Sequence, residues 1–556
     1  MSQARPNPVI RLLPSLTDVA FLMPVVFLFG KLTGARYLLG DGDTGWHIRA
    51  GEWMLANGRV PDRDLFSFTK AGEPWYAWEW LWDVLFAWLH QRGGMEAVVL
   101  ASLLIICLTA ALLYRLVRRK CGDVLIAIAV TFLAVAASSL HWLARPHLFT
   151  LLFAVAFCWL LERAQEGRTR LLLALPLVTI LWANLHGGFF VGILLIGAYA
   201  AGEMVSWAVA ADRAEGRAAL RRSVPYWLSA AGCLAASFLN PYTWRLHWHI
   251  ARYLSDSYHF RNISEFLSLS FQHPVARYFE ALLALGALAV VWSVHKRRFT
   301  QAIMVAGWAH LALYSARNIP IYAVVSAPAI AWTLKEMVDA LAWGQVAGWV
   351  RRAAGGLARL SSELGAIDHI GRAHLTSGVT VAALGVLLYL PAAPAKCRAE
   401  YDPKRYPAGA IELLRRPEFA ANVFADDEWG DYLIYRLHPH IKVFIDGRSD
   451  FYGATFGEEY LDLLRGKHAW QRTLDRYDVG AVLLRADASL ASTLKETSRW
   501  RVVYDDGVAI LFERAAGPRP ESERVSAAGA ADFPAIARSR RSTPVIDQSQ
   551  RPTRGE

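Results

Sequence analysis

The chain has 556 residues, 54% of them hydrophobic and 19% charged, with a mean hydropathy of +0.25. A water-soluble protein of this length carries more charge and divides its apolar residues among several cores, so this composition excludes one. The net charge of +11 does not point to nucleic acid, because the arginines stand in short clusters beside apolar runs, where they set membrane orientation.

The N-terminal MSQARPNPVIRLLPS leads into an apolar segment with no small-residue cleavage site, which reads as a retained span. Runs such as AVVLASLLIICLTAALLYRLV (97–117), VLIAIAVTFLAVAASSL (124–140) and LTSGVTVAALGVLLYLPAA (375–393) match the roughly 18 apolar residues that cross a bilayer as a helix. Spans are predicted at 15–38, 94–117, 122–141, 146–164, 170–185, 188–210, 224–240, 277–295, 300–316, 319–340 and 374–393. That makes about eleven transmembrane helices in a multi-spanning α-helical membrane protein. EWLWDVLFAWLHQR (79–92) is amphipathic and tryptophan-rich, the pattern of a helix lying in the membrane interface. Cys107, Cys121, Cys158, Cys233 and Cys397 form neither a disulfide framework nor a zinc pattern.

The loops alternate in character. YRLVRRKCGD, ERAQEGRTR, ADRAEGRAALRRS, HKRRF and WGQVAGWVRRAAGGLARLSSELGAIDHIGRAH are basic and sort to the cytoplasm. An odd number of spans then leaves the C-terminal part outside. The expected location is the bacterial inner membrane, with a cytoplasmic N-terminus and a periplasmic C-terminal domain. GDGDTGWHIRAGEW, HWLARPHLFT, ANLHGGFF, LNPYTWRLHWH and SARNIPIY fall together on the external face. Polar groups at a membrane boundary are costly unless paired or hydrated, so their convergence predicts a water-filled site.

The composition changes after residue 393. Residues 1–395 read as the transmembrane domain with a first external loop at 39–93, and residues 396–515 as a small external α/β domain. Strands are predicted at 421–426, 441–446, 479–485, 500–506 and 507–514, and helices at 428–437 and 456–466. The tail 516–556, rich in Ser, Arg, Pro and Ala, reads as disordered.

Asp41 and Asp43 precede a helix expected near Thr44. One reading makes Asp43 a helix cap; the other makes the pair a catalytic base or the holder of a cation at a phosphate leaving group. Trp46 and His47 follow on the same helix. Arg145 either snorkels to headgroups or binds a phosphate, and Pro146 and His147 open the next span. Asn184 and His186 sit at a reversal between spans, Asn240 at a span end, and Arg317 and Asn318 at another. These residues are candidates for substrate binding. Asp43, His147 and His186 are candidate ligands for a divalent metal ion, Mg or Mn. Asp446 and Arg448, in VFIDGRSDFYG (443–453), either pair within a turn or reach back to a substrate.

The acidic GDGDTGWHIRAGEW, the NGRVPDRDLFSFT after it, the amphipathic segment, the span count and the external C-terminal domain together resemble the type C glycosyltransferases (the GT-C fold). These enzymes use polyprenyl-phosphate-linked sugars. The resemblance implies an external-loop aspartate, Asp41 or Asp43, as catalytic base, with Arg145 or Arg317 on the lipid phosphate and inversion at the sugar carbon. It also implies a polyprenyl-phosphate-linked sugar, the lipid bilayer and an acceptor glycan, lipid or protein as partners. Two departures stand out. The acidic pair is Asp-Gly-Asp rather than adjacent, and the C-terminal domain has no WWDYG-type sequence, which argues against an oligosaccharyltransferase. A transporter or flippase, and a non-catalytic membrane scaffold, are the alternatives. Transporters place their polar residues near the midplane, often with repeat symmetry, and no repeat is visible here.

Overall fold

The computed structural model describes residues 11–344, 346–368, 373–416 and 422–515. The predicted disorder of 516–556 lies outside the described residues. Every predicted span corresponds to a helix: α1 (Leu16–Gly30), α3 (Trp80–Cys121), α4 (Val124–Ser138), α5 (His147–Gln165), α6 (Ala174–Leu185), α7 (Phe190–Ala208), α8 (Arg213–Ala236), α10 (Ala276–His295), α11 (Phe299–Tyr314), α12 (Ile319–Trp343) and α14 (Leu375–Leu388). Between them lie α2 (Asp43–Asn57), α9 (Trp244–Ser255) and α13 (Gly348–Asp368), and the C-terminal part adds α15 (Asp427–Leu437) and α16 (Ala454–Leu464). Among the described residues six helices are long and apolar enough to cross a membrane, and Leu16–Gly30, Thr169–Leu185 and Leu375–Leu388 are shorter apolar ones. The chain is a multi-spanning α-helical membrane protein with a small C-terminal sheet.

The ends of these helices follow from their sequences. Ser15 and Asp18 form a capping box on α1, and the Asp123 carboxylate accepts the Leu125 and Ile126 amides at the start of α4. The long α3 is broken at Gly93 and Gly94, where Gly94 has φ 66°, a conformation that only glycine adopts without strain. The break separates the amphipathic 80–92 segment from the apolar span behind it. The basic loops gather at one end, where Arg118 pairs with Asp368 and Lys120 with Glu162. All five cysteines are free and buried.

The sheet has four strands, β1 (Asn422–Phe424), β2 (Val479–Arg485), β3 (Trp500–Asp505) and β4 (Ala509–Arg514), in the order β1-β2-β4-β3. β1 and β2 are parallel and the other pairs antiparallel. The predicted strand at 441–446 is not one of them. Only Val443 bridges, to Val423 on one side and to Ser67 on the other. The alternation of IKVFID suits a strand, but its outer partner is the irregular stretch 66–69. There the Val443 amide donates to the Phe66 carbonyl at 3.1 Å and the Phe68 amide to the Val443 carbonyl at 3.1 Å. This stitch joins the loop between α2 and α3 to the C-terminal part. α2 lies between α3 and α15, and Arg49 Nε donates to the Tyr435 carbonyl at 2.8 Å.

Candidate active site

A cavity of about 1090 Å³ opens between the loops that carry Asp41, Arg145, Glu265 and Arg317 and the C-terminal part. Leu151, Phe190, Leu194, Leu311 and Ile321 make its wall apolar where it borders the spans. At its polar end it collects Asp41, Asp43, Trp46, His47, Arg145, His147, His186, Arg317, Asn318, Asp446 and Arg448. Asn184 and Asn240 lie elsewhere. Asn184 Nδ2 donates to the carbonyls of Ile180 (2.8 Å) and Leu239 (2.9 Å), and its Oδ1 accepts the Trp80 indole N–H at 2.8 Å, tying the amphipathic segment to the bundle. Asn240 Oδ1 accepts the Tyr242 amide at 2.8 Å and closes the Asn-Pro-Tyr turn.

Asp43 is the first residue of α2, but its side chain does not cap the helix. Asp41 Oδ1 accepts the Asp43 amide at 2.9 Å instead, which leaves the Asp43 carboxylate to face the cavity. Arg145 reaches both aspartates, with Nη1 2.9 Å from Asp41 Oδ2 and Nη2 2.6 Å from Asp43 Oδ2. The Trp46 indole donates to Asp43 Oδ1 at 3.2 Å. Trp46 also stacks on His47, whose Nδ1 lies 2.6 Å from Asp83 Oδ1. Burial pushes the Asp43 carboxyl up to about 7; Arg145 opposes the rise and Asp41 adds to it. Burial and the Asp43 charge also raise Asp431.

Gly447 separates these two acids. Its amide donates to Asp431 Oδ1 at 2.9 Å, and a Cβ at this residue would stand 2.2 Å from Asp43 Oδ1 and 2.7 Å from Asp431 Oδ2. Gly447→Ala is therefore expected to lower stability by about 1–3 kcal/mol, the usual overpacking cost. Thermal unfolding of the detergent-solubilised protein measures it, and an unchanged midpoint refutes the close fit.

Several members of the site were not singled out in the sequence. Glu265 is the chief one: Arg145 Nη1 lies 3.8 Å, Arg317 Nη1 3.6 Å and His141 Nε2 3.5 Å from its carboxylate. Burial alone would raise Glu265, but Arg317 and Arg145 outweigh it and hold the carboxyl at about 2. In TWRLHWHIARYLSDSYHFRNISEF (243–266) the acids are Asp256 and Glu265, and an acid in so cationic a loop was the one clue available. Glu79, raised to about 7 by burial and then by Asp450, lines the same cavity.

Arg448 and Asp446 pair, as the turn reading has it. Arg448 Nε donates to Asp446 Oδ1 at 2.7 Å and Nη2 to Oδ2 at 2.6 Å. Nη2 also donates to Asp64 Oδ1 at 2.8 Å. Asp64 belongs to NGRVPDRDLFSFT, so the two motifs meet in one buried ion cluster.

The predicted metal ligands do not come together. His147 Nε2 lies 2.7 Å from the His141 carbonyl oxygen, His186 Nδ1 accepts the Gly188 amide at 3.0 Å and shares a hydrogen bond with the Thr150 hydroxyl at 2.7 Å, and Asp43 is paired with Arg145. Among the described residues no group of three or more His, Cys, Asp or Glu side chains is arranged to hold a metal ion. The residues present do not fit a divalent cation.

No family model and no curated protein sequence matches the chain. Solved structures do. The apo oligosaccharyltransferase of Archaeoglobus fulgidus superposes with a TM-score of 0.53 at 12% identity, over 84% of this chain and 69% of that one. The fold is that of a type C glycosyltransferase. The archaeal oligosaccharyltransferase AglB from Archaeoglobus fulgidus, in complex with an inhibitory peptide and a dolichol-phosphate, gives 0.52 at 12% identity, over 90% of this chain and 74% of that one. ArnT from Cupriavidus metallidurans in the apo state gives 0.46 at 15% identity, over 90% and 99%. The two archaeal superpositions show the fold alone, and at 12% identity the chemistry is left to be argued from the site. In this chain the acidic first loop, Arg145 and the loop carrying Glu265 surround one cavity.

Proposed function

We propose that this GT-C protein transfers a sugar from a polyprenyl-phosphate donor to an acceptor at the periplasmic face of a bacterial inner membrane. Residues 1–395 form the membrane domain in this reading and residues 396–515 the external one. One observation supports it most. A single cavity joins an apolar wall among the spans, two arginines, and a buried aspartate whose pKa stands near neutrality. The apolar wall suits the lipid tail. Arg145 and Arg317 suit the phosphate, which guanidinium groups bind through paired hydrogen bonds.

Asp43 takes the proton from the acceptor hydroxyl as that oxygen bonds to the anomeric carbon. The carbon–oxygen bond to the phosphate breaks, and polyprenyl phosphate leaves with the bonding electron pair. Direct attack of this kind inverts the sugar carbon. Asp41 orients Arg145 and the start of α2, while the Trp46 indole fixes the Asp43 carboxylate.

Undecaprenyl phosphate is expected to stabilise the purified protein, by about 2.7 kcal/mol at roughly a hundredfold excess over Kd. Asp43→Asn keeps this stabilisation and Arg145→Ala loses it. Thermal unfolding with undecaprenyl phosphate and, as control, undecaprenol reads the difference. No response from wild type sinks the proposal and favours a transporter or scaffold.

A further inference from the structure

We propose that Arg145 is the resident cation of this site, occupying the space between Asp41 and Asp43, beside Glu265, in which a divalent metal ion would have to sit. The donors around the two aspartates carry the argument. Asp41 Oδ1 accepts the Asp43 amide at 2.9 Å, and Asp43 Oδ1 accepts the Trp46 indole at 3.2 Å. Asp41 Oδ2 and Asp43 Oδ2 both belong to Arg145, at 2.9 and 2.6 Å. All four carboxylate oxygens therefore have donors from the chain itself. Glu265 completes the ring, with Oε2 3.8 Å from Arg145 and Oε1 3.6 Å from Arg317.

A magnesium ion needs oxygen ligands at about 2.0–2.1 Å in octahedral array. To obtain them here it would have to strip Arg145 from both aspartates and then sit against the displaced positive charge. The guanidinium is planar, reaches two acids at once and stays protonated throughout the physiological range. A cation fixed to the chain needs no loading and responds to no chelator. It can present to a phosphate the charge that a bound metal presents in other enzymes. That catalytic meaning rests on the glycosyltransferase reading, whereas the exclusion of metal does not.

The test uses full-length protein in detergent, with Mn²⁺ as the probe. Free Mn²⁺ is followed by electron paramagnetic resonance, and thermal unfolding is compared in Mn²⁺ and in EDTA. Wild type is expected to leave the free Mn²⁺ signal unchanged and to unfold at the same temperature in both buffers. Arg145→Ala is expected to deplete the signal and gain stability in Mn²⁺, and adding Asp43→Asn to it removes both effects. Mn²⁺ binding by wild type that Asp43→Asn abolishes overturns the inference. So does a folded Arg145→Ala that binds none. Should Arg145→Ala fail to fold, the comparison of wild type with Asp43→Asn decides by itself. Undecaprenyl phosphate is titrated into wild type in the same two buffers. Binding in neither refutes the glycosyltransferase reading and leaves the Mn²⁺ result standing, whereas binding only with Mn²⁺ overturns the inference alone.

Discussion

Asp43→Asn is expected to slow sugar transfer by about 10²–10⁴-fold, the range for removal of a general base, with donor binding kept. Asparagine has the same shape and its Oδ1 still accepts the Trp46 indole, so the start of α2 is kept, while Arg145 keeps Asp41 as its partner. What disappears is the ability to take a proton, together with the Asp43 half of the pairing to Arg145. The sign of the pH dependence follows from the raised pKa. A carboxyl held at about 7 is protonated, and useless as a base, below that pH. Wild-type kcat/KM should therefore fall about tenfold per pH unit below 7 and level off above it. The residual activity of Asp43→Asn should lose that limb. Initial rates from pH 5 to 9 with a lipid-linked sugar measure both. A variant with wild-type rate and profile would show that Asp43 is not the base.

Arg448→Ala is expected to destabilise the folded protein by about 3–5 kcal/mol, the cost of breaking a buried ion pair from one side. Asp446 and Asp64 have side chains with no solvent exposure, and Arg448 is 2% exposed. Removing the arginine leaves two buried carboxylates without their cation. It also removes a guanidinium centred 4.5 Å from the Trp75 ring and 5.0 Å from those of Phe66 and Phe451. Arg448→Lys should recover little, because an ammonium cannot serve Asp446 through two nitrogens while reaching Asp64. Replacing all three charged residues with apolar ones of similar volume should recover most of the loss. Denaturant unfolding gives the values, and a loss under about 1 kcal/mol would mean that the cluster is solvated.

The membrane architecture was legible because its signal is local. The length of an apolar run decides whether it spans, and the predicted edge between interfacial segment and span coincides with Gly93 and Gly94. IKVFID failed as a strand for the opposite reason. Its alternation is local, but its outer partner is a loop some 375 residues earlier in the chain. The site divides the same way. Asp446 and Arg448 stand two apart, and their pairing could be read in the sequence. Asp64, the third member of that cluster, is 384 residues from Arg448 and could not. Arg145 was visible as an arginine at a span mouth, but its hold on Asp41 and Asp43 across about a hundred residues was not. Glu265 escaped because an acid in a cationic loop, one of two there, does not say which distant arginines it meets.

The wedge of Gly447 between Asp43 and Asp431 also bears on how the protein is made. Asp43 emerges from the ribosome about 400 residues before Gly447 does, a delay of roughly 20–80 s at ordinary rates of synthesis. Throughout that interval the chain already owns its aspartates and, soon after, Arg145, yet lacks the backbone that confines them. A chain cut short before Gly447 therefore never acquires the backbone that stands between Asp43 and Asp431.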